Sequence, residues 1–337
     1  MAKYGLPYMG SKSGICDELI KRLPKADHFY DLFGGGFSVT HAMLTRRPRD
    51  FKKFHFNEIR SGICELIQSA IKGEFNYDKF KPPFIDRDTF FNQLDSDAYI
   101  KMCWSFGSNG KDYLFSKEIE PYKRSMHNAI VFNDFDDLAR KVFGCDGFKD
   151  GFTINEKRLF LRNKIEQYRK TKIPDCLIQF IDEKMREKPK QLQQLQQLQQ
   201  LQQLQQLQQL QQLERLQQLQ QLERLTFTNL SYEKVEIEKN SVIYCDPPYA
   251  NTASYDDEFN HNQFLEWADS QASPVFISEY EIKDKRFIPV FRIQKRSKLN
   301  MAKSLLYKQE IVYGNKSAVE LIISSRKNNL NIGKTKQ

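Results

Sequence analysis

The stretch "HFYDLFGGGFSVTHAML", His28–Leu44, contains the signals that decide the fold of this chain. An aromatic run typical of a buried strand ends at Asp31, glycines follow, and Ser38 opens a segment whose apolar residues have helical spacing. Further along, "FKKFHFNEI" (51–59) predicts a second strand and "SGICELIQSAIKG" (61–73) a second helix. Two successive strand–loop–helix units favour an α/β fold with a parallel, doubly wound sheet.

Strand signals return late in the chain, after a long stretch of different character. The later segments with the composition of strands are "LTFTNL" (225–230), "SVIYCD" (241–246), "PVFISEY" (274–280), "FIPVFRI" (287–293) and "SAVELIISS" (317–325). Residues from about 75 to 190 are rich in lysine, arginine and aromatic residues, and their patterns are mainly helical. This change of character predicts a subdomain that is inserted into the sheet domain.

The segment 191–225 has leucine at every third position and glutamine at most positions between. An α-helix turns by about 100° per residue, so each repeat moves the leucine by roughly 60° around the axis. No single apolar stripe forms, which argues against a heptad zipper and an ordinary amphipathic helix. We therefore favour a low-complexity spacer over an exposed or self-associating helix.

The overall composition narrows the class of protein. The net charge of +9 suits phosphate backbones, although acidic membranes attract a basic surface as well. The cysteines and histidines are scattered, with no CxxC pair and no spacing typical of metal ligands. The first residues lack the apolar core of a secretion signal, and no apolar run is long enough to span a bilayer. We expect a cytoplasmic protein with reduced thiols, no bound metal and no membrane partner.

A second motif, "DPPY", follows the predicted strand at 241–246. Ligands of open α/β sheets bind at the carboxyl ends of the strands, where this motif would lie. Asp246 offers a carboxylate acceptor, and Pro247 and Pro248 hold their backbone carbonyls rigidly. Tyr249 offers a flat face for stacking. This set suits a planar group with an exocyclic amine, and the alternative is a Pro-Pro turn with an incidental acid.

The glycine turn after Asp31 allows a ligand to approach the backbone closely. A nicotinamide fingerprint requires G-x-G-x-x-G, and counting from Gly34 its last position is Val39, which argues against a dehydrogenase. The Gly-Lys-Ser/Thr of a P-loop is absent as well. An acid before the glycines suits a positively charged amino group better than a pyrophosphate. The alternative is a tight strand–helix turn that binds nothing.

Three further residues are candidates for ligand contacts. Glu58 closes the second predicted strand, where an acid commonly accepts hydrogen bonds from ribose hydroxyls. A solvated carboxylate is also common at that position. In "PYMGSK" (7–12), Lys12 could pair with a ligand carboxylate and Tyr8 could pack over it, and the alternative is a capped start of a helix.

Taken together, these motifs resemble the Dam-type DNA adenine N6-methyltransferases, and phage-encoded members in particular. As in the α order of that family, the cofactor motifs come first, the insertion next and DPPY last. The resemblance covers about residues 4–75 and 226–325. It implies a Rossmann-like class I S-adenosylmethionine-dependent methyltransferase sheet as the catalytic domain (1–75 and 226–337). The inserted, mainly helical subdomain (76–190) would recognise the target.

The resemblance also assigns site residues by position. It places cofactor contacts at Tyr8, Lys12, Asp31, Gly34, Gly36, Glu58, Tyr232 and Asp246. Asp246 and the Pro247 carbonyl would accept the hydrogens of the target amine, within a corner that Pro248 completes, and Tyr249 would stack on the base. The sequence departs from the usual family pattern at four positions. Tyr8 stands where tryptophan is often found, Ser11 where glycine is common, Phe37 where some relatives have a further glycine, and Glu58 where aspartate is commoner.

The implied activity is methyl transfer from S-adenosylmethionine to the N6 amine of adenine in double-stranded DNA, by base flipping and direct displacement. The enzyme would act either beside a partner restriction endonuclease or as an orphan phage enzyme. Arg124, Arg158 and Arg162 are candidates for contacts with base edges, and the alternative for each, which we favour, is a solvated helix face or a phosphate contact. Phosphate contacts are expected at Lys295, Arg296 and Lys298. The alternatives are methyl transfer to RNA or to a protein amide, and a non-catalytic DNA-binding relative.

Overall fold

The computed structural model describes residues 4–76, 80–170, 205–219, 222–249, 259–296 and 307–334. The chain forms two compact units. The sheet unit combines Met1–Lys72 with Arg215–Gln337, and the insertion unit is Gly73–Glu214. Among the helices in the described ranges, none is both long and apolar enough to cross a membrane.

The sheet unit is built on one mixed sheet. Its described strands are β1 (His28–Asp31), β2 (Lys53–Asn57), β3 (Leu225–Thr228), β4 (Ser241–Cys245), β5 (Val275–Glu279), β6 (Ile288–Arg296) and β7 (Tyr307–Gly314). Their order is β3-β2-β1-β4-β5-β7-β6, with β1 to β5 parallel and β7 antiparallel to both of its neighbours. The prediction of a Rossmann-like α/β sheet is confirmed.

The sheet is covered on both faces. The described helices of the sheet unit are Cys16–Arg22, Ser38–Arg46, Ile63–Ile71, His261–Ser270 and Lys316–Lys334. Tyr30 and Ile243 share a core cluster with Phe264 of the helix His261–Ser270. Phe29 is also completely buried, and adjacent strand residues point to opposite faces. Burial from both sides explains why every residue of β4 and β5 is buried and why both strands contain apolar runs (242–245 and 275–277) rather than an alternating pattern.

The prediction of a strand at 317–325 is wrong. These residues belong to the helix Lys316–Lys334, and the last strand is instead β7, which ends at Gly314. The Asn315 side chain starts the helix, since its Oδ1 accepts from the Ala318 amide at 3.0 Å. Its Oδ1 also accepts from the Val275 amide at 3.1 Å, which fastens the helix start to β5. A short apolar run fits a buried strand or a helix equally well, and this contact decided between them.

The insertion unit is mainly helical, as predicted. Its described helices are Arg87–Gln93, Ala98–Cys103, Glu120–Phe132, Asp137–Phe143 and Ile154–Lys170. One more helix, Gln205–Leu216, comes from the leucine–glutamine repeat and begins within this unit.

The expectation that the repeat is only a spacer is wrong for this helix. Its Leu207, Leu210 and Leu213 are completely buried although they lie three residues apart. Gln206 is also buried, and its Nε2 lies 3.3 Å from His127 Nδ1, while His127 Nε2 lies 2.9 Å from the Pro82 carbonyl. A helix can bury such a rotating leucine row when it is surrounded on a broad face and side-chain amides such as those of Gln206 and Gln209 donate to polar partners. The rest of the repeat up to residue 204 lies outside the described residues.

Candidate functional site

The candidate site lies between β1 and β4, where the order of the strands in the sheet reverses. β1 and β4 are neighbours, but the sheet continues from β1 to β2 on one side and from β4 to β5 on the other. A crevice opens at the carboxyl ends of two such strands, and ligands bind there. Asp31 is the last residue of β1, and Asp246 directly follows β4. Asp31 pairs in register with Tyr244, so both acids lie at this edge.

Four side chains meet at this edge, and we call Lys12, Asp246, Tyr249 and Glu310 the acid–lysine cluster. Lys12 Nζ donates to Asp246 Oδ1 at 2.6 Å and to the Tyr249 hydroxyl at 2.7 Å. It also lies 3.3 Å from Glu310 Oε1. The Tyr249 hydroxyl in turn donates to Glu310 Oε1. One ammonium group therefore bridges two carboxylates and holds the tyrosine of the DPPY corner.

Burial makes the charges of this cluster strongly coupled. Lys12 and Glu310 are almost completely buried, and the Asp246 side chain keeps 19% of its exposure. Burial alone would lower the pKa of Lys12, but attraction to Asp246 and Glu310 outweighs it and raises the pKa, so the lysine stays charged. Burial and repulsion from the same carboxylates raise the pKa of Tyr249, so its hydroxyl keeps the proton. The cluster thus contains two carboxyl groups for one ammonium, a composition that suits a cationic ligand.

Asp31 is buried, and one oxygen of its carboxyl group is unsatisfied. Its Oδ2 accepts from Thr40 Oγ1 at 2.8 Å, whereas Oδ1 has no hydrogen-bond partner among the described residues. Burial raises the pKa of Asp31 to about 7, and repulsion from Asp246 and Glu58 adds to the effect. A buried acceptor without a donor is unfavourable unless a ligand supplies one. The structure therefore fits a contact between Asp31 and a positively charged amino group.

The glycine loop, Gly34–Gly36, is shaped by side chains that pack against it. A Cβ atom on Gly34 would lie 2.0 Å from the Phe56 ring, and one on the third glycine would lie 2.5 Å from Tyr8 Cβ. The glycines are therefore required by this packing, whatever ligand approaches the loop. Phe37 follows with a φ of 67°, in the left-handed region that favours glycine. The departure from the family pattern at Phe37 thus falls on a position with a conformational reason for glycine.

Glu58 and Tyr8 are joined through Arg60. Glu58 Oε2 accepts from the Gly35 amide at 2.7 Å, and Oε1 accepts from the Arg60 amide at 3.0 Å. The Arg60 guanidinium donates to the Tyr8 hydroxyl at 2.7 Å and lies over its ring. Burial raises the pKa of Glu58, against the hydrogen bonds from both amides. Glu58 therefore supports the glycine loop directly, and its contact with a ribose stays a prediction.

Tyr232 packs in an aromatic cluster of the sheet unit. Its ring centre lies 5.3 Å from that of Phe33, 5.4 Å from that of Phe264 and 5.0 Å from that of Trp267. Phe33 comes just after β1, so this cluster lies along the core beneath the crevice. The hydroxyl of Tyr232 donates to Glu233 at 3.2 Å. The role of Tyr232 beside the adenine of a cofactor stays a prediction.

Arg124, the first of the predicted DNA contacts, has partners inside the insertion unit. Its guanidinium lies 5.1 Å from the centre of the Phe84 ring. It also pairs with Asp86 at 3.4 Å and with Glu120 at 3.8 Å. A base contact would compete with these interactions, so the structure gives Arg124 a local packing role as well.

The remaining predicted DNA contacts differ in what the structure describes of them. Arg158 and Arg162 lie one turn apart on the same helix, and Arg162 is exposed. Lys295 and Arg296 end β6, where the structure describes only the backbone. Lys298 lies outside the described residues. DNA binding by these side chains stays a prediction.

Sequence analysis missed two residues that hold the DPPY corner. Glu310 lies on β7, the strand that was not predicted, although the following "IVY" (311–313) is typical of a strand. His261 begins the helix His261–Ser270, and its Nε2 donates to the Pro248 carbonyl at 2.8 Å. An acid inside a β-branched and aromatic run was the available signal for Glu310. A lone histidine at a helix start gave no comparable signal.

A doubly wound sheet with a DPPY corner and a buried, unsatisfied acid at its switch point defines the class as a Rossmann-like methyltransferase domain. Residues 8–273 match the family model described as D12 class N6 adenine-specific DNA methyltransferase. The chain belongs to this family, which confirms the resemblance to Dam-type enzymes. Among curated proteins, no match to the chain was found. The phage origin stays a prediction.

Proposed function

We propose that this protein transfers a methyl group from S-adenosylmethionine to the N6 amine of adenine in double-stranded DNA. Family membership supports the reaction class. The observation that carries the proposal for this chain is the DPPY corner at the switch point, with Asp246 held by Lys12 at 2.6 Å. S-adenosylmethionine supplies a methyl group on a positively charged sulfur.

The residues at the crevice fit this cofactor by charge. The unsatisfied Asp31 Oδ1 is an acceptor for the ammonium group of the methionine part. The two carboxyl groups of the acid–lysine cluster suit the cationic sulfur. Glu58 directly follows β2, at the position where an acid commonly accepts hydrogen bonds from ribose hydroxyls. Its Oε2 also accepts from the Gly35 amide.

The DPPY corner would act on the target base. The lone pair of the adenine amine is delocalised into the ring, which makes the nitrogen a weak nucleophile. Asp246 and the Pro247 carbonyl would accept its two hydrogens and favour a tetrahedral nitrogen with the lone pair directed at the methyl group. The N–C bond would form as the C–S bond breaks, the sulfonium would leave as the neutral thioether S-adenosylhomocysteine, and the methylated nitrogen would release one proton to water. Positioning of the two reactants would supply most of the rate increase.

The target amine is paired and stacked in duplex DNA, so the base must leave the helix before it reacts. Flipping requires on the order of a few kcal/mol, which contacts to the DNA backbone and the pocket must supply. The Tyr249 ring, fixed by its hydroxyl in the acid–lysine cluster, would stack on the flipped base. The basic net charge of +9 would provide backbone affinity, and the insertion unit would read base edges.

The test is expression of the full chain in a host without DNA methylation, followed by single-molecule sequencing for N6-methyladenine. We expect one consistent methylated motif. Asp246→Asn should reduce methylation by about 100-fold or more, because one acceptor of the amine loses its charge. Asp27→Asn is the matched control, since Asp27 is a half-exposed acid just before β1, at the opposite end of the strand.

Two outcomes would contradict this proposal. If labelled methyl groups appear only in RNA or protein, DNA is not the substrate of this enzyme. An Asp246→Asn variant that methylates DNA at the rate of the Asp27→Asn control would remove the DPPY corner from the reaction.

A further inference from the structure

Glu310 is a buried acid that the established family assignment does not explain. It lies on β7 opposite Ile293 of β6, and its side chain has no solvent exposure. Burying a carboxyl group is unfavourable unless partners compensate for the lost water. The interior of a sheet would be more stable with an apolar residue here, so the acid calls for a reason beyond packing.

The partners of Glu310 are both members of the acid–lysine cluster. Its Oε1 accepts from the Tyr249 hydroxyl and lies 3.3 Å from Lys12 Nζ. Lys12 Nζ also donates to the Tyr249 hydroxyl, so that hydroxyl must direct its only proton at Glu310. Glu310 thus sets the direction of a chain of hydrogen bonds that runs from Lys12 through Tyr249.

The hydrogen bonding of Glu310 is incomplete. Its Oε2 is buried and has no hydrogen-bond partner among the described residues. Unsatisfied buried groups of this kind are rare in proteins, and each calls for an explanation such as a catalytic role or a bound water. A purely structural acid would be expected to have both oxygens satisfied.

The same contacts restrict the two groups that would meet the base. Lys12, held between Glu310 and Asp246, limits rotation of the Asp246 carboxylate by its 2.6 Å contact with Oδ1. The Tyr249 ring is limited by its hydroxyl and by an edge contact with Tyr280, whose ring centre lies 4.7 Å away. Both side chains are thus held from β7, because Glu310 accepts from the Tyr249 hydroxyl and pairs with Lys12, which in turn holds Asp246.

We propose that Glu310 is a positioning residue for methyl transfer, which fixes the Asp246 carboxylate through Lys12 and the Tyr249 ring through its hydroxyl. This inference rests on the proposed function. It assigns a role in the reaction to β7, a strand that contributes no residue to DPPY or to the glycine loop. The expected consequence is a loss of rate without a matching loss of binding.

The first test compares Glu310→Gln with Glu18→Gln in the full chain. Glu18 undergoes the same chemical change, but it is exposed on the helix Cys16–Arg22. Glu310→Gln should lower the single-turnover rate of DNA methylation at least tenfold, while the dissociation constants for S-adenosylmethionine and DNA change less than threefold. Glu18→Gln should leave all three quantities unchanged.

The second test is a double-mutant cycle with Tyr249→Phe, which keeps the ring but removes the hydroxyl. Because Glu310 acts partly through that hydroxyl, Glu310→Gln should reduce the rate less in the Tyr249→Phe background than in the wild type. If Glu310→Gln does not fold, Glu310→Asp replaces it in the same cycle, because it keeps the charge and shortens the reach.

Three results would overturn the inference: a wild-type rate in the folded Glu310 variant, equal losses in both Tyr249 backgrounds, or a loss that lies entirely in binding. Failure of the proposed function would appear differently, as an absence of DNA methylation by the wild-type protein itself.

Discussion

Asp31 gives the most direct quantitative prediction, because burial of its carboxyl group acts on stability and on binding in opposite directions. Its pKa is raised from the ordinary value of 3.8 to about 7, mainly by burial. At about 1.4 kcal/mol per unit, this shift corresponds to roughly 4 kcal/mol of preference for the protonated form in the folded protein. The perturbation is Asp31→Asn, which removes the ionisation but leaves an oxygen that can accept from Thr40.

The stability difference should depend on pH. The unfolded chain loses the Asp31 proton near its ordinary pKa of 3.8, whereas the folded protein retains it up to about pH 7. The unfolded state therefore binds fewer protons between these values, and this group makes the wild type less stable as the pH rises through them. Asp31→Asn should match the wild type near pH 4 and exceed its free energy of unfolding by up to about 4 kcal/mol at pH 8.

Cofactor affinity should change in the other direction. A bound ammonium group favours the ionised Asp31, so binding below pH 7 requires loss of its proton. Wild-type affinity for S-adenosylmethionine should rise by up to about tenfold per pH unit from pH 5 to 7, and fall above about pH 8 as the amino group loses its charge. In Asp31→Asn the rise should disappear, and affinity at pH 7.5 should be lower.

Chemical denaturation without cofactor and calorimetric titration with it measure the two effects separately. Asp27→Asn, at the other end of β1, is the control for sign. A hydrogen bond from Lys52 lowers the pKa of this half-exposed carboxyl group, so its loss should not make the protein more stable as the pH rises. The reasoning is refuted if the stability difference of Asp31→Asn does not grow with pH. It is also refuted if that variant binds the cofactor with wild-type affinity and the same pH dependence.

The other predictions concern the stability of the fold. Leu213→Ala should destabilise the protein by about 2–5 kcal/mol, because the leucine is completely buried. Gln218→Ala, at an exposed position of the repeat, should have little effect in the same thermal unfolding assay. Equal effects of the two substitutions would show that burial of the leucine row does not stabilise the protein. Gly5→Ala should destabilise by at least about 1 kcal/mol, because its φ is 72° and a Cβ would lie 2.2 Å from the carbonyl oxygen of the third loop glycine. Gly14→Ala is the control, because a Cβ atom at Gly14 would have no neighbouring atom within 4 Å. A similar melting temperature for both variants would contradict the predicted strain at Gly5. Asn315→Ala should lower stability by about 1–3 kcal/mol, since its side chain bonds to β5 and to the helix start, and unchanged denaturant unfolding would show those bonds to be dispensable.

The sequence by itself determined the features that depend on local conformation. The order of strand, glycine loop and helix around Asp31 follows from the spacing of apolar residues and from the freedom of glycine. The rigid DPPY corner follows from the fixed φ of proline. These signals act over a few residues, so they are present before any tertiary contact forms. They were sufficient for the α/β sheet and for the family.

Tertiary structure decided whatever depends on residues distant in the chain. The apolar run at 317–325 fits a strand or a helix by its own periodicity, and the bonds of Asn315 to β5 made it a helix. The leucine row of the repeat has no stripe of its own, but surrounding residues of the fold bury it.

The acid–lysine cluster shows the same division most clearly. Lys12 begins a short 3-10 helix (Lys12–Gly14), Asp246 directly follows β4, and Glu310 lies in the middle of β7. The motifs around Lys12 and Asp246 mark each of them as a candidate for a ligand contact, but no local pattern relates the two to each other or to Glu310. Only the sheet order, which places β4, β5 and β7 side by side, brings their charges within 2.6 to 3.3 Å in a buried place. Electrostatic interactions strengthen steeply as charges approach and lose their water, so the strength of this cluster is a property of the assembled fold.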